Sequence, residues 1–158
     1  AETKVPVWFA GHSLGGAMAT ICAQRCEVSK VSPDPRALFT FGSPRVGNRT
    51  YVNHSRLTHY RWVNNNDIVT RVPPPWWGYS HGGREMYIDC KGRVRHCEGW
   101  RRSIDRVRGF FRSLRRFRID HFSDHSIEQY IDYLHAAVEK EQRTETRRAG
   151  RRSRKAAA

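Results

Sequence analysis

The chain has 158 residues, 38% of them apolar, a formal charge of +14 and a mean hydropathy of −0.76. That length allows one domain with a real core and gives no reason to expect two. No stretch approaches the roughly 18–20 apolar residues of a membrane span. The N-terminus also lacks the basic flank and apolar run of a secretory leader. The first residue is Ala1 rather than Met, which is the expectation for a processed product or a fragment.

Residues 5–10 (VPVWFA) form a short apolar run that reads as a buried strand. It runs into Gly11-His12-Ser13-Leu14-Gly15-Gly16, and residues 17–25 then offer small helix formers without a breaker. The pattern is strand, tight glycine-flanked turn, helix. Ser32-Pro33-Asp34-Pro35 marks a loop, and residues 37–41 (ALFTF) read as a second buried strand. A turn-rich connection over 42–48 leads to a short helix near 49–54. Residues 60–63 (YRWV) predict a third strand, ending in Asn64-Asn65-Asn66-Asp67. Pro73, Pro74 and Pro75 open a loop through Trp76, Trp77 and Gly78, and residues 85–89 read as a weaker fourth strand. Between 100 and 117, Ile104, Val107, Phe111, Leu114 and Phe117 recur at three- and four-residue steps with arginines between them, an amphipathic helix pattern weakened by Gly109. Ile127, Tyr130, Ile131 and Leu134 define a final helix. Strands alternating with helices predict an α/β fold with a mostly parallel sheet flanked by helices. Residues 1–140 are expected as the domain and 141–158 as a basic, disordered tail.

Gly11-x-Ser13-x-Gly15 fits a nucleophile elbow. A serine on a sharp strand-to-helix turn sits in strained backbone, and side chains two before and two after are expected to collide with neighbouring elements. The turn aims the Ser13 hydroxyl away from the sheet. It also puts the Leu14 N–H at a helix start, where it can donate to a developing oxyanion.

A serine hydroxyl needs a base to take its proton, and in elbow folds the partners follow in the order serine, acid, histidine. Asp67, just past a strand, is the leading acid, with Asp89 and Asp120 as runners-up. Of eight histidines, His12 lies inside the elbow and faces the wrong way, while His54 and His59 precede the acid. His81, His96, His121 and His125 satisfy the order, and His135 falls inside the last helix. His125, in a loop just before a helix, is the best placed, with His121 its close rival.

The same residues resemble a known family. Residues 5–17 (VPVWFAGHSLGGA) look like the nucleophile segment of the class 3, fungal-type triacylglycerol lipases of the α/β-hydrolase superfamily. Residues 40–48 (TFGSPRVGN), 61–74 (RWVNNNDIVTRVPP), 79–85 (YSHGGRE) and 124–130 (DHSIEQY) resemble later family segments in the same order, over roughly residues 4–135. The resemblance implies the C-terminal portion of an α/β-hydrolase fold and carboxylic ester hydrolysis on lipids. It implies a triad of Ser13, Asp67 and His125, with no metal or organic cofactor. The family's N-terminal half, with its lid and second oxyanion donor, has no counterpart here, so an impaired or inactive remnant acting as a binding scaffold is the alternative.

The remaining features leave room for other partners. The arginine-rich stretch between Arg101 and Arg118 suits an anionic membrane surface, although a packed helix with solvated arginines gives the same pattern. The charge also suits nucleic acid, but no helix-turn-helix, RNP or zinc-finger pattern accompanies it. Cys22 and Cys26 share a helix face and read as small buried residues, while Cys90 and Cys97 flank a short loop and could pair in an oxidising compartment. Neither localisation nor oligomeric state follows from the sequence.

Overall fold

The computed structural model describes residues 5–29, 35–95 and 124–156. The predicted helix over 100–117, the stretch from Arg101 to Arg118, and His96, Cys97, Asp120 and His121 lie outside them.

The elements in chain order are β1 (Val7–His12), α1 (Leu14–Ser29), β2 (Pro35–Phe41), β3 (Gly47–Asn48), α2 (Arg49–His54), β4 (His59–Asn64), β5 (Tyr79–Ser80), β6 (Arg84–Ile88), β7 (Val94–Arg95) and α3 (Ile127–Ala156). The main sheet has the order β1-β2-β4-β6-β7. The first three pairings are parallel, and β7 returns antiparallel as a hairpin partner of β6. Parallel neighbours cannot be joined by a tight turn, so each connection must travel back past the sheet. That requirement puts the C-terminal ends of β1, β2 and β4 on one rim, beside each other, with Gly11 opposite Thr40 and Phe41 opposite Trp62. A two-residue ribbon, β3 with β5, stands apart from the main sheet.

Helix α1 buries Gly16, Ala17, Thr20 and Ala23, a stripe of small residues that lets its backbone approach β1 and β2 closely. The Thr20 hydroxyl in that stripe donates back to the Gly16 carbonyl at 2.8 Å, so it enters the core satisfied. Leu38, Val63, Ile88, Tyr87 and Tyr130 fill the interior, each at most 2% exposed. Burying such a side chain contributes about 1.5–3 kcal/mol. Polar groups are buried beside them: Asn64, Asn66, Asp67 and Thr70 all belong to one segment at the end of β4.

Four expectations need correction. Strand β1 is not buried on both faces: Trp8 is 59% exposed, because β1 is the edge of the sheet and α1 covers it on one side. Cys22 is exposed and Cys26 half-buried, since the buried stripe of α1 is occupied by Gly16, Ala17, Thr20 and Ala23. Burial, then the neighbouring Cys22, pushes the Cys26 thiol up. In α3, Tyr130 is buried but Ile131 is exposed, while Tyr133 and Leu134 are half-buried, so the covered face of the helix excludes Ile131. Finally, the stretch expected as a disordered tail continues α3 as helix to Ala156. Glutamate, glutamine, arginine and alanine there are strong helix formers, and Glu139 meets Arg143 one turn on at 3.6 Å. No helix among the described residues is long and apolar enough to cross a membrane.

Candidate active site

The turn after β1 holds Ser13 at φ +57°, a left-handed backbone that a side chain adopts only under constraint. The constraint is visible. Ser13 N–H donates to the Phe41 carbonyl of β2 at 2.9 Å, and the Ser13 carbonyl accepts from Gly16 N–H at 3.0 Å. A Cβ at Gly11 would lie 2.3 Å from the Gly15 carbonyl oxygen, so position 11 admits only glycine. The second expected glycine differs: a Cβ at Gly15 meets nothing within 4 Å, whereas one at Gly16 would sit 2.8 Å from Ser43 Cβ. The close approach of α1 to the β2 loop therefore falls one residue later than the motif suggests. Leu14 is the first residue of α1, so its N–H belongs to the helix turn that has no intrahelical acceptor.

Asp67 and His125 come to the same rim. Ser13 Oγ lies 2.7 Å from His125 Nε2, and His125 Nδ1 lies 3.0 Å from both carboxylate oxygens of Asp67. With Nδ1–H donating to the carboxylate, Nε2 is left to accept from the serine hydroxyl. The Asp67 side chain is fully buried and that of His125 is 16% exposed. Asp67 also accepts from Val69 N–H at 2.9 Å, which closes the turn, and from the Tyr130 hydroxyl at 2.8 Å. That hydroxyl in turn accepts from Asn64 N–H at 2.8 Å. Burial, then the charge of Asp67, pushes the Tyr130 phenol far above its usual range, so it remains a donor.

The asparagine run before Asp67 holds the segment that carries the histidine. Asn64 Nδ2 donates to the Asp124 carbonyl at 3.0 Å and to Gln129 Oε1 at 3.2 Å. Asn65 Nδ2 and Asn66 N–H both donate to the Asp124 carboxylate, at 3.1 and 3.2 Å. Three consecutive asparagines thus bind the loop of Asp67 to the loop of His125, about 60 residues away. His12, set aside at the sequence level, also takes part. Its Nε2 donates to the His125 carbonyl at 2.8 Å, and the two rings lie 4.7 Å apart.

The other candidates lie elsewhere. Asp89 is buried at the β6–β7 turn and ion-paired with Arg93 and Arg95. His81 donates to the Thr70 carbonyl at 2.6 Å, and His59 contacts Thr40 Oγ1 at 2.9 Å. Burial, then the charge of Arg61, lowers these two histidines to about 3 and about 4. His54 and His135 are exposed on α2 and α3. Sequence reasoning missed His12, Gly42 and Tyr130. Tyr130 was legible only as an apolar-face position, and no local signal marks Gly42. Among the described residues no group of three or more His, Cys, Asp and Glu side chains is arranged to hold a metal ion.

Parts of the chain are similar to known proteins. Residues 1–76, which include Ser13 and Asp67, match the family model "Lipase (class 3)". That match covers just under half of the chain. A lipase of Rhizopus niveus is 41% identical over 93 residues, 56% of this chain and 24% of the relative. Secreted mono- and diacylglycerol lipase 1 of Fusarium solani is 40% identical over 82 residues, half of this chain and 24% of the relative. The Rhizomucor miehei lipase propeptide complex superposes with a TM-score of 0.50 at 35% identity, over 56% of this chain and 30% of that one. The fold is of the α/β-hydrolase class, a mostly parallel sheet flanked by helices. The chain spans about a quarter of the length of the curated relatives it matches.

Proposed function

We propose that the chain forms the triad-bearing part of a serine esterase acting on lipid carboxylic esters of the acylglycerol type. The observation that carries this reading is the unbroken chain of hydrogen bonds from Ser13 Oγ through His125 to the buried Asp67 carboxylate. In this mechanism His125 Nε2 takes the Ser13 proton as Oγ attacks the ester carbonyl. Asp67 holds the ring in the Nδ1–H tautomer and stabilises the imidazolium that forms. The Leu14 N–H donates to the oxyanion, with the helix start of α1 behind it. His125 then protonates the leaving alcohol and the acyl group stays on Ser13. Water attacks that acyl-enzyme with His125 again as base, and the fatty acid leaves. The named relatives, lipases by description, support lipid esters as the substrate class.

A second reading is favoured by one surface. Trp8 on β1 and Leu14, Met18 and Val28 on α1 are each about 59–68% exposed, an apolar face suited to a partner. On that reading the chain is a binding scaffold. Labelling with a fluorophosphonate probe separates the two, comparing wild type, Ser13→Ala and His125→Ala, with p-nitrophenyl butyrate turnover alongside. The esterase reading expects labelling that both substitutions abolish. A folded wild-type chain that resists the probe would leave the scaffold reading standing.

A further inference from the structure

Past Asp67 the loop continues through Thr70 and Arg71, which line an open cavity of about 470 Å³. Arg45, Arg49, Arg61 and Arg71 all face this space, and Glu85 is the one acidic residue among the described lining residues. Glu85 pairs with Arg61 at 2.7 Å. Arg45, Arg49 and Arg71 have no carboxylate partner among the described residues. Among the described lining residues, four positive charges stand against one negative, a net of +3.

The donors are fixed without being neutralised. Arg45 Nη1 donates to the carbonyls of Arg71 and Pro73, and Arg71 Nη2 to Asn66 Oδ1 at 3.0 Å. These acceptors orient the guanidinium planes while leaving the charge uncompensated. Burial, then the nearby Arg61, holds the Arg45 guanidinium below its ordinary value. Like charges gathered in this way repel, and a bound anion relieves that repulsion. Planar arginine forks match the oxygens of a phosphate group better than they match a monatomic ion.

One feature says how such a group would arrive. Pro75 and Tyr79 line the cavity, and between them in the chain stand Trp76 and Trp77, 82% and 70% exposed. Val72 and Ile68 in the same loop are also exposed. Tryptophan is favoured at the headgroup level of a bilayer, where its apolar ring and N–H are both accommodated. We propose that this cavity is a phosphate-recognition site for a phospholipid headgroup, with Trp76 and Trp77 entering the bilayer interface beside it. None of Ser13, Asp67 and His125 lines this cavity.

The test uses the whole chain carrying Ser13→Ala, so that vesicles stay intact, and sedimentation with phosphatidylcholine vesicles with or without phosphatidic acid. Arg49→Gln with Arg71→Gln is expected to weaken binding to the phosphatidic acid vesicles by about tenfold or more. The charge-matched pair Arg147→Gln with Arg148→Gln, on the exposed length of α3, is expected to weaken it by less than about threefold. Trp76→Ala with Trp77→Ala is expected to lower binding by about tenfold as well. Thermal melts verify folding, and Arg49→Glu, at an exposed position, replaces the pair if that variant fails to fold. Equal losses for the two arginine pairs would overturn the proposal, because general attraction between a basic chain and an anionic surface would explain them. So would titration of the arginine side-chain NMR signals by inorganic phosphate if vesicle binding ignored Arg49 and Arg71. That outcome would make the cavity a free-phosphate site.

Discussion

Asp67 follows β4 and Asp89 follows β6, neighbouring parallel strands, and the two residues are 1% and 4% exposed. Asp89 spends its carboxylate within its own hairpin: Lys91 N–H, Arg93 N–H, Arg93 Nε and Arg95 Nε reach it at 2.9–3.2 Å. Burial opposes its ionisation, but the hydrogen bonds from Arg93, Lys91 and Arg95 outweigh it and hold the carboxyl below its ordinary value. Asp67 has one comparable local bond, from Val69 N–H, and otherwise serves His125 and Tyr130, 58 and 63 residues away. Burial and position at a strand end therefore do not distinguish a structural acid such as Asp89 from the acid proposed for the site. The sequence distance of its partners does.

Replacing each acid by its amide breaks the comparison most sharply. Asp67→Asn should lower ester kcat by about 10⁴, because the amide can no longer hold the Nδ1–H tautomer. Asp89→Asn should leave kcat within about twofold and cost about 1–2 kcal/mol of stability in urea unfolding. It should also change the acid response. The folded pKa of Asp89 lies below the unfolded value, so its contribution is present above the ordinary aspartate range and fades as pH falls through the lowered one. The variant should lack that component.

Gly42 tests whether the long-range pair can be spoiled without touching Ser13. Its φ is +59°, and a Cβ there would lie 2.6 Å from Asp67 Oδ2 and 3.0 Å from His125 Nδ1. Gly42→Ala should push those two groups apart and lower kcat by about 10² with the fold retained, as probe labelling rates and circular dichroism would show. A smaller effect, about tenfold, is expected for Tyr130→Phe, which removes a donor to Asp67 and leaves Asn64 N–H without its acceptor. Tyr130 acts through Asp67 as a positioning residue. Its loss should therefore move the pH profile of kcat/KM, which a purely structural change would leave in place.

The same region also marks how far the sequence could be read. The strand–turn–helix around Ser13 was legible because apolar runs and glycines are local signals, and so was the α/β order of elements. Asp67 and His125 were legible as candidates because each sits where a strand or loop meets a helix. Their pairing followed only from the family resemblance, since its geometry depends on Asn64, Asn65 and Asn66 gripping Asp124 across the fold. Trp8 read as core because an apolar run does not reveal whether its strand is central or at the edge. Gly15 read as essential because the motif names it, whereas the contact that excludes a side chain falls at Gly16.

The bases repeat the contrast of the acids, in a pH window of their own. His125 joins residues 112 and 58 positions away, whereas His81 is tied to Thr70, 11 residues off, and His59 to Thr40. Folded His81 and His59 titrate at about 3 and about 4, through burial first and the charge of Arg61 second. The unfolded chain takes up protons on both below about pH 6.5, while the folded chain does not. Stability from this pair is therefore full above that pH and falls as pH drops towards 4. The urea midpoint should decline between about pH 7 and about pH 5, before any carboxylate such as Asp89 begins to titrate. His81→Asn keeps a donor for the Thr70 carbonyl and cannot protonate, so it should remove about half of that slope while leaving ester turnover close to wild type. A loss of turnover as large as that of Asp67→Asn would instead place His81 in the site and erase the distinction between local and long-range partners.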